Sequence, residues 1–329
     1  PMNATTLFDS LIEKLKSSHR KIVFTEGPDA RILEAASRLK KEGFLAPVLV
    51  GNIDEIKAAA KAGNFEIDGI EIICPESFEG MDDMIETMAE IRKGKMSKEE
   101  CRQALLKSNY FGTMLVKTGY ADALLGGATY STADTVRPAL QIIKTKPGNK
   151  IVSSCFLMVR SQGGNEELIA MGDCAINISP SEDDLVEIAI ETAKCARIFG
   201  IEPRVAFLSY STKGSGKGDS VTTVVNACNK AKAAHPELAI DGELQFDAAV
   251  SPVVAAVKCR GSNVAGRANV FIFPEINSGN IGYKIAQRFG GFDAYGPILL
   301  GLNAPINDLS RGCNADEVYK MAIITAALA

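Results

Sequence analysis

Histidine is nearly missing from this chain: its 329 residues contain two. His19 in SSHRK and His235 in AAHPE both stand at predicted helix ends among polar neighbours, where a capping or solvent-exposed ring is the ordinary reading. Without a placed imidazole, Ser-His-Asp and Cys-His schemes lose their usual base. Histidine-rich metal sites go with them. The eight cysteines include no CxxC pair and no zinc-ligand spacing, so they read as buried free thiols of a reducing cytosol. No apolar run approaches the ~20 residues of a membrane span, and no cleavable apolar leader opens the chain. The expectation is a soluble, cytoplasmic protein with no membrane partner. Pro1 ahead of Met2 reads as a leftover of expression. With a net charge of -4 and dispersed Lys and Arg there is no basic stripe of the kind a nucleic acid requires. Any anion must therefore be held by a local cluster. Internal repeats, low-complexity tracts and disorder-prone segments are absent as well.

What is present is ordinary globular composition, 46% hydrophobic and 23% charged. Single cores stop growing efficiently at roughly 250 to 300 residues, so two domains are expected. Short apolar runs alternate with segments of helical period: KIVFTE then ARILEAASRLKKEG, APVLVG then IDEIKAAAKAG, IEIIC then helical stretches, ADALLGG then STADTVRPALQIIKT. Strand followed by helix, repeated, predicts a parallel sheet with helical crossovers and an α/β fold. KTKPGNK is a plausible connection between domains. Beyond it KIVSSCFLMV and EELIAMGDCAIN read as consecutive strands, followed by strands in RVAFLSY, ELQFDAAV and ANVFIFP with their helices. The closing NADEVYKMAIITAALA is an apolar helix too short to stand alone. It is expected to return to the first domain, which gives residues 1–148 plus 298–329 as domain I and 149–297 as domain II. NDLSRGC would then lie where the chain crosses between domains, and clefts between domains are favoured ligand sites.

Four stretches suit oxyanions, for which Arg offers a planar fork of donors and glycine turns offer backbone amides. In FTEGPDARILEAA a Gly-Pro-Asp turn precedes a helix carrying Arg31, which fits either a capped helix with a surface Arg or an anion contact. LLGGATYSTADTVRPAL places Ser131, Thr132 and Thr135 near a helix start, with Arg137 within the helix. LSYSTKGSGKGDS offers Ser211, Lys213 and Gly214 after a strand. It is not a Walker loop, since Gly218 stands where Ser or Thr is needed. In NDLSRGCNAD, Ser310, Arg311 and Gly312 directly precede the final helix, and Asn314 to Glu317 matches a capping box. A carboxylate engaged by backbone amides is a poorer base, which counts against Glu317 and leaves Asp316 available.

FTEGPDARILEAA, YFGTMLVKTGYADALLGGATYSTADTVRPALQIIKT, SSCFLMV, LSYSTKGSG, GELQFDAAV and NDLSRGC, in this order, resemble the short, single-module members of the phosphate acetyltransferase family, which also includes phosphate butyryltransferases. The resemblance implies two α/β domains with a cleft between them, of the isocitrate and isopropylmalate dehydrogenase type, usually as a homodimer. It implies reversible acetyl transfer between coenzyme A and inorganic phosphate, giving acetyl phosphate. No metal or other cofactor is implied, coenzyme A being a substrate. The SRG serine and arginine map onto Ser310 and Arg311 at the reaction centre. Arg92 in EIRKG and Arg137 map onto phosphate or coenzyme contacts, Arg31 onto a coenzyme phosphate contact, and Cys155 onto a site-lining cysteine that is not a required nucleophile. The family's presumed catalytic aspartate falls on Glu317 by register, with Asp316 one position short, so both acids stay open. Tyr130 stands where several relatives are expected to carry histidine.

The implied chemistry is direct transfer in a ternary complex, since no cysteine has a histidine partner in view. Acyl preference, acetyl or butyryl, is not legible. A metal-dependent hydroxyacid dehydrogenase on the same fold is the rival, but Asp134, Asp219, Asp241 and Asp247 form no convincing metal set. A non-catalytic sensor of coenzyme A or acetyl phosphate would keep the anion loops and need no acid on the last helix.

Overall fold

A computed structural model of the protein describes residues 6–329; Pro1 and Met2 lie outside the described residues. The chain forms two compact units, one of residues 8–147 and 302–329, the other of residues 148–301 together with Thr6 and Leu7.

The first unit is built on five strands, β1 (Lys21–Phe24), β2 (Ala46–Val50), β3 (Glu71–Ile73), β4 (Ala123–Gly126) and, much later in the chain, β11 (Ile306–Asp308). Their order is β11-β4-β1-β2-β3 and every pairing is parallel. Strands covered on both faces read as continuous apolar runs, and Ile22, Val23, Phe24, Leu49 and Leu125 are wholly buried. The helix Ala30–Glu42 shows why the local sequence folds as it does. Asp29 caps its N-terminus, Gly43 closes it in the left-handed region (φ 81), and Ile32, Leu33, Ala35, Ala36 and Leu39 form the buried stripe. Full burial of each large apolar side chain contributes about 1.5–3 kcal/mol. The final helix, Ala315–Ala327, packs on this helix and on β4 and β1, burying Val318, Met321, Ile323 and Ile324.

The second unit carries a mixed sheet of β5 (Ser153–Gln162), β6 (Asn165–Gly172), β7 (Arg204–Leu208), β8 (Ala239–Leu244), β9 (Val270–Ile272) and β10 (Asp293–Leu300), in the order β10-β5-β6-β9-β7-β8. β5 pairs antiparallel with β10 and β6; the other pairings are parallel. Two sequence expectations change here. ELQFDAAV does not form one strand: β8 stops at Leu244 and Phe246–Val250 is helical. The Thr212 hydroxyl accepts from Gln245 N–H and donates to Gln245 Oε1, both at 2.9 Å, which breaks the strand there. Residues 293–300 form an unforeseen strand, so the chain returns to the first unit at Leu302 rather than at 298. Pro297 is accommodated because β10 is an edge strand and Pro297 sits where its register with β5 shifts between Tyr295 and Ile298.

Both histidines are peripheral: His19 is exposed at a positive φ, and His235 ends the helix Asp219–Ala234 with Nδ1 3.0 Å from Glu237. Among the described residues no helix is long and apolar enough to cross a membrane.

Candidate active site

The strand order of the first sheet locates its functional edge. From β1 the chain proceeds to β2 and β3 on one side and to β4 and β11 on the other. Open parallel sheets favour ligands beyond the carboxyl ends of the strands at such a reversal. Three segments meet there: Thr25–Glu26–Gly27 after β1, Gly126–Gly127 at the end of β4, and Asp308–Leu309–Ser310 at the end of β11.

Two buried carboxylates shape this edge. Glu26 accepts the N–H groups of Gly127 and Ala128 at 2.8 and 3.0 Å, and also the N–H and hydroxyl of Thr129. Asp308 accepts the hydroxyls of Thr132 and Thr135 at 2.7 and 2.8 Å. Burial pushes the Asp308 carboxyl above its ordinary range, and the two threonine hydroxyls oppose that shift. The glycine pair allows the approach. A Cβ on Gly127, at φ +106, would stand 2.2 Å from Asp308 Oδ1, and one on Gly126 would stand 2.1 Å from the Tyr130 hydroxyl. Tyr130 is hydrogen-bonded to Thr25 at 2.8 Å. Leu309 N–H donates to Gly126 O at 2.7 Å, which ties the loop after β11 to the end of β4.

Beyond that tie the chain emerges, and Ser310, Arg311 and Gly312 are all exposed. Ser310 Oγ accepts from Gly312 N–H at 3.2 Å, so its own proton remains available to donate. Among the described residues the Arg311 guanidinium has no ion pair or hydrogen bond. Arg31 is the opposite case. Its Nε and Nη2 form a fork on Asp29 at 3.0 and 2.9 Å, Nη2 also reaches Ala128 O at 3.0 Å, and Nη1 donates to Arg311 O at 2.7 Å and Cys313 O at 3.1 Å. The coenzyme phosphate contact expected of Arg31 is not what this geometry offers, because all five of its N–H donors face protein acceptors.

The two acids of the final helix separate cleanly. Asn314 caps the helix by accepting Glu317 N–H at 2.9 Å, but no reciprocal bond from the Glu317 carboxylate forms. The capping box suggested by NADE is therefore half made, and the Glu317 carboxylate has no partner among the described residues. Asp316, expected to be the available acid, is held by Arg38 at 3.2 Å and Lys320 at 3.0 Å.

A profile of the family described as Phosphate acetyl/butaryl transferase matches residues 6–326. The chain belongs to this family. It is 56% identical to a phosphate acetyltransferase of Bacillus subtilis (strain 168) over 98% of this chain and 99% of that one. Among solved structures, a phosphotransacetylase from Streptococcus pyogenes superposes with a TM-score of 0.94 at 52% identity, covering 98% and 97% of the two chains. The EutD phosphotransacetylase from Staphylococcus aureus gives 0.92 at 48% identity, with 98% of each covered.

The remaining candidates of this family member fall into three groups. Arg92 ends the helix Met81–Arg92, with a buried Nε that lacks a hydrogen-bond partner among the described residues. Arg137 is exposed and 3.3 Å from Asp134; it and Arg92 both lie within electrostatic reach of the Tyr110 phenol. Ser131 and Thr132 are engaged locally, Ser131 as the cap of the helix Thr132–Pro138 and Thr132 on Asp308. Ser211, Lys213, Gly214 and Cys155 belong to the second unit. There Ser211 Oγ and Gly214 N–H donate to Glu243 at 2.5 and 3.2 Å, and Lys213 Nζ is 2.5 Å from Asp241. Burial works against the Asp241 charge, but hydrogen bonds from Lys213, Ser262 and Lys232 outweigh it and draw its pKa down to about 2. These donors stabilise their own loop rather than leave an anion hole open. Cys155 is buried in β5, 3.8 Å from Cys195 Sγ. That contact and burial push its thiol well above the ordinary cysteine range, the reverse of what a nucleophile needs. A cavity of about 800 Å³ in the second unit is lined by Met171, Leu208, Phe246, Phe273, Ile285 and others, with no Lys or Arg. It does not suit a phosphate.

Glu26, Asp29 and Asp308 were missed as site-forming residues. For Glu26 and Asp308 the sequence does hold a signal: acids at or just after the carboxyl ends of apolar parallel strands, facing a glycine pair on the neighbouring strand.

Proposed function

We propose that the protein transfers an acetyl group reversibly between acetyl-CoA and inorganic phosphate, giving acetyl phosphate and CoA, by direct transfer within a ternary complex. One observation carries this reading: an unengaged guanidinium, a free serine hydroxyl proton and an unengaged carboxylate occur within eight residues at the functional edge of a parallel sheet, on a backbone pinned at 311 and 313. Arg311 holds phosphate and offsets repulsion between two anionic substrates. Phosphate oxygen attacks the thioester carbonyl, and Ser310 donates to the oxyanion that forms. Glu317 takes the proton that hydrogen phosphate loses and passes it to the departing sulfur as the C–S bond breaks, so no outside acid or base is needed. In reverse Glu317 accepts the CoA thiol proton. Arg92 and Arg137 serve as further phosphate or coenzyme contacts.

The same reading carries a cytoplasmic location, which rests on the unpaired cysteine pattern, and a homodimer and an isocitrate and isopropylmalate dehydrogenase-like fold, which rest on the resemblance. Acetyl rather than butyryl transfer follows the names of the relatives at 49–56% identity. Following thioester absorbance with acetyl phosphate and CoA tests the activity. Dialysed protein in excess chelator should keep its rate, and loss restored by a divalent cation would favour the metal-dependent alternative. No turnover with bound CoA would leave a sensor.

Direct transfer makes its own prediction. Cys155→Ala should leave turnover close to that of the parent protein, because a buried, protonated thiol takes no covalent part. Near-complete loss with unchanged circular dichroism and melting would mean an acetyl-enzyme instead.

A further inference from the structure

We infer that Arg31 is a positioning residue whose guanidinium fixes the backbone that presents Ser310 and Arg311, and that it does not bind coenzyme phosphate. The geometry of the five donors carries this. Two of them form a fork on Asp29, which itself accepts Arg31 N–H at 2.9 Å as the helix cap. The fork neutralises the guanidinium charge and sets its plane. The other three reach carbonyls from two separate loops: Ala128 after β4, and Arg311 and Cys313 after β11.

Where those three bonds land explains why they matter. The carbonyls of residues 311 and 313 flank Gly312, whose added Cβ would meet nothing closer than Ser310 Oγ at 3.8 Å. At Gly312 itself packing therefore does not hold the chain, whereas Cys313 beyond it is buried. The internal bonds of this stretch, Gly312 N–H to Ser310 Oγ and Cys313 N–H to Ser310 O, shape the turn without anchoring it to the sheet edge. Arg31 supplies that anchor, joining the loop to Ala128, which Glu26 fixes in turn. Residue 311 is thus split in function: its carbonyl is bound while its guanidinium is unengaged. An incoming phosphate would have to displace a carbonyl or the Asp29 carboxylate, and it would meet that carboxylate's charge.

The kinetic part of the test rests on the proposed acetyl transfer; the structural part does not. Arg31→Gln and Arg31→Lys are compared by hydrogen exchange and by steady-state kinetics with CoA and with dephospho-CoA, which lacks the 3′-phosphate. Faster exchange is expected at Gly312 and Cys313 in both variants, by about tenfold or more, as local opening becomes easier. A misplaced reaction centre should lower kcat by about 100-fold. KM for CoA should stay within about threefold, and the lost factor should be the same with dephospho-CoA, because no ground-state phosphate contact is removed. Lysine is the decisive comparison: it keeps the charge and most of the stem, so it would preserve a phosphate contact but cannot reproduce a five-donor fork. A near-normal Arg31→Lys, a raised KM for CoA that vanishes with dephospho-CoA, or unchanged exchange at 312 and 313 would overturn the inference. If the parent protein shows no acetyl transfer, the proposed function fails while the exchange result still decides the role of Arg31.

Discussion

Arg311→Gln is expected to lower kcat by about 100- to 1,000-fold, the loss typical when a donor aimed at developing charge is removed, with melting unchanged. The two halves of that expectation have separate causes. Stability should hold because the side chain is exposed and unengaged, and substitutions at such places usually fall within about 0.5 kcal/mol. The backbone carbonyl that Arg31 grips at 2.7 Å is untouched by the change. Activity should fall because glutamine keeps a polar amide but loses both the charge and the parallel pair of donors that match an oxyanion. Steady-state kinetics with phosphate varied gives the reading. A higher KM for phosphate with kcat preserved would mean that Arg311 binds substrate and transition state equally, and the assignment of Arg311 to the reaction centre would be withdrawn.

The contrast between Arg311 and Arg31 also shows how far the sequence could be read. Alternating apolar runs and helical segments disclosed β1 to β4 and their helices, because buried parallel strands are locally continuous and their crossovers keep a helical period. β11 was not legible: three residues, IND, cannot show a period, and the strand exists only because β4 offers an unpaired edge. At the site, both arginines looked equally suited to an anion. What separates them is five acceptors, three of them carbonyls from loops roughly 100 and 280 positions away in sequence, and no local pattern encodes those. Lys213 teaches the same lesson, since a glycine-rich loop with a lysine resembles an anion cradle until Asp241 and Glu243 are seen filling it. The capping signature NADE was read correctly at Asn314 and failed at Glu317, because one half of a capping box does not oblige the other.

That half-made box leads to the second large effect. Glu317→Gln should reduce formation of acetyl-CoA from acetyl phosphate and CoA by about 100-fold or more, within the range removed with a general base. Asp316→Asn, one residue away, should change the rate little. Its carboxylate lies in an exposed arrangement with Arg38 and Lys320, and such surface pairs contribute about 0–1 kcal/mol to stability. A pH series distinguishes loss of a base from loss of shape. The free CoA thiol ionises near pH ~8.5, so above that pH the substrate no longer needs help losing its proton. The deficit of Glu317→Gln should therefore be largest near neutrality and shrink as the pH rises through the thiol pKa. A deficit that stays constant across that range would assign Glu317 to positioning or electrostatics. Loss in Asp316→Asn with a normal Glu317→Gln would instead move the base one residue back, and it would require Arg38 and Lys320 to release that carboxylate when substrate binds.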